Sequence, residues 1–154
     1  MYWLKPGIKK DLEKRWRLPD RIFFGRGACH ILAGVYLDAP PLPGFRAQRI
    51  VPDDGYAGNH IFLTDGAIAF DFHGYSIRDR LLAQHWRGWS KRYPSWTGAV
   101  EDVDFPLLDT AALNARKMLG PDQYGYDPVA RAQRLLARID HAAAYRAAAA
   151  LVGN

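Results

Sequence analysis

The sequence predicts an α+β fold: a small antiparallel sheet with helices packed on it and a helical C-terminal third. Three observations carry this. Asp65-Gly66 lies between two apolar runs, residues 61–63 and 68–70, which is a hairpin signal because a tight two-residue turn needs positive φ. After Gly25-Arg26-Gly27 the chain is apolar, with Cys29, Leu32, Ala33 and Tyr36 at helical spacing. From Leu107 onward, apolar residues recur at helical intervals behind capping residues.

A chain of 154 residues suits one domain over 1–154, with a core over about 20–105 and a helical part over about 107–152. No apolar run approaches the roughly 20 residues that span a bilayer, so no membrane association is expected. Residues 1–6 lack the basic-then-apolar pattern of a signal peptide. One cysteine, Cys29, excludes an intramolecular disulfide framework and fits a reducing compartment. The expected location is the cytoplasm, with export without a cleaved signal as the other route. The net charge of +5 suits anionic partners or simply a basic solvated surface.

Taken in order, residues 7–17 read as a short amphipathic helix with Ile8, Leu12 and Trp16 in line, ended by Pro19. Residues 21–24 read as an extended lead-in. Residues 38–44 are a proline-rich loop, 45–51 alternate like a strand, and 52–58 form a second loop. Residues 75–89 keep helical spacing, with Ser76 as N-cap and Asp79 at the capping-box position. A further strand is expected at 99–103. Asp109 or Thr110 caps a helix through Met118, ended by Gly120-Pro121. Pro128 opens a last helix that runs into the alanine-rich stretch 142–152.

If Asp65 and Gly66 are the turn, Thr64 pairs with Ala67, Leu63 with Ile68, Phe62 with Ala69, Ile61 with Phe70 and His60 with Asp71. Directly opposite side chains share a face roughly 5 Å apart, so register alone sets an imidazole beside a carboxylate. Ile61, Leu63, Ile68, Phe70 and Phe72 form a core face. The other face carries His60, Phe62, Thr64, Ala67, Ala69, Asp71 and His73. Its small residues admit another element. A helix docking Cys29, Leu32, Ala33 and Tyr36 on the Ala67/Ala69 face brings Cys29 to His60. At a helix start, free N–H groups and the helix dipole favour a thiolate.

Chain order Cys29, His60, Asp71, with the cysteine opening a buried helix and the other two on neighbouring strands, resembles the papain-like cysteine hydrolase superfamily. The nearest branch is the transglutaminase-like one, whose histidine begins a strand much as His60-Ile61-Phe62-Leu63-Thr64-Asp65-Gly66 does, with an acid shortly after. The resemblance covers about residues 20–75. His30 stands where an aromatic usually follows the nucleophile, and no glutamine precedes Cys29. The resemblance implies a papain-like or transglutaminase-like core, with an N-terminal nucleophile helix packed on a small antiparallel sheet and helices after it.

The function expected is that of a cysteine-dependent amide hydrolase or acyl transferase: a peptidase, amidase, deamidase or transglutaminase-like enzyme. Its Cys-His-Asp triad works through a thioester, with no cofactor. Cys29 is the nucleophile, His60 the base and Asp71 the group that orients it. The Cys29 N–H offers one oxyanion donor. Asn59 and Gln84 are weaker candidates for the second, and Trp86 for substrate contact. The expected partner is a peptide or protein amide. Two other readings stand beside this one. The basic and aromatic segment 86–96 can stack on bases or hold a peptide in a non-catalytic nucleic-acid- or protein-binding module. His30, His60, Asp71 and His73, with Cys29, can also offer ligands to a metal.

Overall fold

A computed structural model describes residues 3–153. The single helix expected over 7–17 is a 3-10 turn, Ile8–Lys10, followed by helix α1 (Leu12–Trp16). Asp11 breaks it: its backbone is extended and its carboxylate accepts from Lys14 N at 3.1 Å, which starts a new helix. The extended lead-in expected at 21–24 is instead the helical turn α2 (Asp20–Phe23), entered from Pro19, whose carbonyl accepts from Ile22 and Phe23 N. Helix α3 (Cys29–Asp38) follows as expected, buried over most of its length.

Strands β1 (Arg46–Pro52), β2 (His60–Thr64) and β3 (Ile68–Asp71) come next, then β4 (Gly74–Ile77) and helix α4 (Arg78–Arg92). Strand β4 overturns the expected Ser76 cap. Ser76 pairs with Ala69 in the sheet, and the helix begins after Ile77 with no side-chain cap. Strand β5 (Gly98–Asp102) returns to pair with β1. All neighbours are antiparallel, in the order β4-β3-β2-β1-β5.

The hairpin register differs from the expected one by two residues. Leu63 faces Phe70 and Thr64 faces Ala69. Side chains made the difference. The Asp65 carboxylate accepts from Ala67 N at 2.9 Å and Ile68 N at 2.8 Å, and the Thr64 hydroxyl donates to Ile68 O at 2.7 Å while accepting from Gly66 N. The turn therefore centres on Gly66-Ala67, with Gly66 at φ 109°. A shift of two preserves which face each side chain occupies.

The face that receives α3 also differs from expectation. Ile31, Leu32, Ala33, Val35 and Tyr36 pack with Ile61, Leu63 and Phe70, the more apolar face. The Phe62 and Ala69 face is covered instead by α4, through Leu81 and Trp89, and by Trp96. The larger apolar side chains of the first face bury more surface against α3 than two alanines could.

The C-terminal part holds α5 (Thr110–Asn114), α6 (Pro128–Ala137) and α7 (His141–Ala149). Helix α5 stops short of Met118 because Lys117 is left-handed, at φ 60°, while Met118 N reaches Leu113 O and Lys117 N reaches Asn114 O. The expected last helix is two, because the Asp140 carboxylate accepts from Ala143 N at 3.1 Å and caps a fresh start. Arg131 of α6 ties this part to the N-terminal segment. Its guanidinium donates to Asp20 at 2.7 Å and to the Trp16 and Leu18 carbonyls at 2.6 Å each. Among the described residues, no helix is long and apolar enough to cross a membrane.

Candidate active site

Cys29 is the first residue of α3, behind an N-cap, Ala28, that has no side-chain acceptor to offer. Its sulfur lies at the open end of the β2–β3 ladder. That ladder stops at Leu63 and Phe70, and the Ile61 N–H beyond it donates to Cys29 Sγ at 3.4 Å. The sulfur thus takes the place a strand carbonyl would have. Because α3 covers the face opposite to His60, the thiol meets the ring around the end of the sheet rather than across the alanine face.

His60 and Asp71 are both buried. His60 Nε2 donates to Asp71 Oδ2 at 2.9 Å, which leaves Nδ1 for the sulfur. Asp71 Oδ1 accepts from His73 N at 2.9 Å, so both carboxylate oxygens are engaged. Burial by itself would push the Cys29 thiol up, but hydrogen bonds and charge from His30 and His60 outweigh it and bring the thiol down to about 5. Burial would also lower His60; its bonds to Asp71 and Cys29 prevail and raise it to about 10. Burial disfavours the Asp71 carboxylate as well, yet the bonds from His60 and His73 hold it well below the usual range. The stable arrangement near neutral pH is thiolate, imidazolium and carboxylate in a row.

Two further histidines belong to this arrangement. His85, on α4, stacks on His60 with ring centroids 5.8 Å apart and planes 15° apart. Its Nε2 donates to Gly58 O at 2.7 Å. Burial, then the positive charge of His60, lowers His85 to about 4, so it stays neutral beside the imidazolium. Gly58 holds φ 122°, and a Cβ there would lie within about 3 Å of Trp96 and Trp89. His30, next to Cys29, anchors its Nε2 on Leu119 O at 2.7 Å, while Tyr124 bonds Gly27 O at 2.7 Å just before Cys29. The repeat Leu81, His85, Trp89 signals that His85 lies on the packed side of α4. Nothing in the sequence signals that this side faces His60.

A cleft of about 910 Å³ opens beside the dyad, lined by His60, Asp71, Asn59, Gln84, His85 and Phe72 among others. Asn59 and Gln84 therefore share the cleft wall with His60. Trp86 does not line it. It packs edge-on against Trp96 at 5.0 Å. Cys29 lies one layer behind, in a small pocket closed by Leu32, Ala33, Ile61 and Phe72, and Phe72 lines both spaces. In segment 86–96, Trp89 and Trp96 are core residues. Arg87, Lys91 and Arg92 turn into the cleft. Among the described residues, no group of three or more His, Cys, Asp or Glu side chains could hold a metal ion. Of the three histidines and one acid named with Cys29 as alternative ligands, His30 is bonded to Leu119 O beside Tyr124, and His60 and the His73 N–H are both bonded to Asp71.

Comparison with family models, curated proteins and solved structures gives no match for this chain.

Proposed function

We propose that this chain is a cysteine-dependent amide hydrolase or acyl transferase with a papain-like, transglutaminase-like arrangement of Cys29, His60 and Asp71. The observation that carries this reading is the buried His60–Asp71 hydrogen bond of 2.9 Å placed beside a thiol drawn down to about 5. A structural cysteine in an apolar core has its thiol pushed up, not down.

In this mechanism the thiolate attacks the amide carbonyl carbon and a C–S bond forms. Charge moves onto the carbonyl oxygen, which the Cys29 N–H at the start of α3 can receive. The tetrahedral centre collapses, the C–N bond breaks, and the imidazolium of His60 gives its proton to the departing amine. The thioester is then attacked by water or a second amine, whose proton passes to His60, and the thiolate leaves. Asp71 keeps the ring in one tautomer and supports its charge. Asn59 and Gln84 are placed to contact the substrate from the cleft wall. A free thiolate of this kind is best kept in a reducing compartment, for which the cytoplasm is the default.

The test is alkylation of the folded chain with iodoacetamide at pH 6.5, followed by intact-mass spectrometry. Cys29 is expected to react much faster than free cysteine, and His60→Ala to slow it sharply. Reaction no faster than free cysteine, or only after unfolding, would overturn the reading.

A further inference from the structure

We propose that the cleft beside His60 receives an acidic peptide segment, whose carboxylates are held by Arg21, Arg26, Arg87, Lys91 and Arg92. This deepens, and rests on, the acyl-transfer reading above. The cleft lining carries those five cations and one acid, Asp71, which is already bound to His60. Among the described residues none of the five forms an ion pair, whereas Arg46, Arg49, Arg78, Arg131 and Arg138 elsewhere each meet a carboxylate. The cations come from both walls. Arg21 and Arg26 lie on and after α2, and Arg87 and Lys91 are one turn apart on one side of α4. Arg26 and Arg92 sit over the same Trp3 ring, at 5.0 and 4.4 Å. Like charges gathered without counterions raise the energy of the empty cleft, and a substrate that brings anions relieves it.

The choice of peptide follows from two further observations. Binding of single-stranded nucleic acid leans on free aromatic faces. Here Trp89 and Trp96 are buried, Trp86 packs on Trp96, and Trp3 is covered by guanidinium groups. A nucleic-acid backbone also offers no carboxamide to the thiolate. A volume of about 910 Å³ is at the large end for small-molecule sites and accommodates a few residues of extended chain.

The test uses the full chain with Cys29→Ser, so that the readout does not depend on thiol chemistry. Binding of a fluorescein-labelled peptide rich in Glu, and of its Gln counterpart, is measured by fluorescence anisotropy at low and high salt. The Glu peptide should bind roughly tenfold tighter at low ionic strength, and the gap should close as salt rises. Arg87→Glu with Lys91→Glu should abolish or invert the preference. Equal binding of the two peptides by the unmodified surface would overturn the proposal. So would a labelled oligothymidylate that binds more tightly than the Glu peptide. Iodoacetamide kinetics on the cysteine-containing chain report separately on the acyl-transfer reading, so the two failures are told apart.

Discussion

His60 and Asp71 meet at 2.9 Å although the β2–β3 register sets them on a diagonal, two residues away from direct opposition. Diagonal neighbours on one face of an antiparallel pair lie about 7–8 Å apart at the backbone, which a histidine and an aspartate can bridge. A slip of one residue would have sent the two side chains to opposite faces. The observed slip of two kept them together.

The first prediction concerns how the thiol titrates. With Cys29 brought down to about 5 and His60 raised to about 10, the thiolate–imidazolium pair spans the interval between those values. Iodoacetamide reactivity should therefore rise near pH 5 and stay high through neutrality. An ordinary thiol rises only near pH 8.5. His60→Ala should move the rise upward and slow the reaction at pH 6.5 by roughly tenfold or more. Rates measured by mass spectrometry from pH 4 to 9 decide it, and a curve that begins near 8.5 in the unmodified chain defeats it.

Removing Asp71 should be costly to stability. Asp71→Ala leaves the buried His60 ring without its acceptor, and breaking such a pair typically costs about 3–5 kcal/mol. The sign with pH follows from the lowered carboxyl of Asp71. Its contribution is present above the ordinary aspartate range and is lost as pH falls. Urea midpoints for the two proteins should be far apart at pH 7 and draw together below about pH 4. A constant gap across that range would contradict the pairing.

His85 makes the fold sensitive to acid. Its folded value of about 4 lies below that of a free imidazole, so between those values the unfolded chain holds more protons. Stability should therefore fall as pH drops from about 6.5 to 4. His85→Gln keeps a donor for Gly58 O and removes the titration. Its stability curve should be flatter over that interval, by up to about 3 kcal/mol. Parallel curves for the two chains would show that His85 does not titrate as described.

Phe72 stands between the cleft and the sulfur. It lines both spaces, its ring lies 5.7 Å from that of His60, and a Cβ on Gly25 would come within 3.0 Å of it. Phe72→Ala should raise the labelling rate of bulky maleimides severalfold relative to iodoacetamide, measured on the same preparation. An unchanged ratio would mean that reagents reach the sulfur by another route.

Local chemistry was legible in the sequence where it acts over a few residues. The apolar run after Gly27 became α3, the alternation at 45–51 became β1, and Pro128 opened α6 behind an Asp127 cap. His60 and Asp71 fell on one face as expected. What was not legible came from side chains competing with the backbone. Asp65 and Thr64 drew the turn one residue onward, and Asp140 cut the last helix in two. The docking face of α3 was decided by competition with α4, two elements forty residues apart, and periodicity within one element carries no such information. His85 reads as one more member of a helix stripe until Gly58 and His60 are seen against it.

The far third of the chain also bears on Cys29. His30, which helps hold the sulfur as thiolate, is itself moored to Leu119, and the Gly27 carbonyl to Tyr124. During synthesis, then, the cysteine leaves the ribosome as an ordinary, weakly reactive thiol. The share of its acidity that comes from His30 waits for some ninety more residues, because Leu119 must be made before its carbonyl can moor that ring.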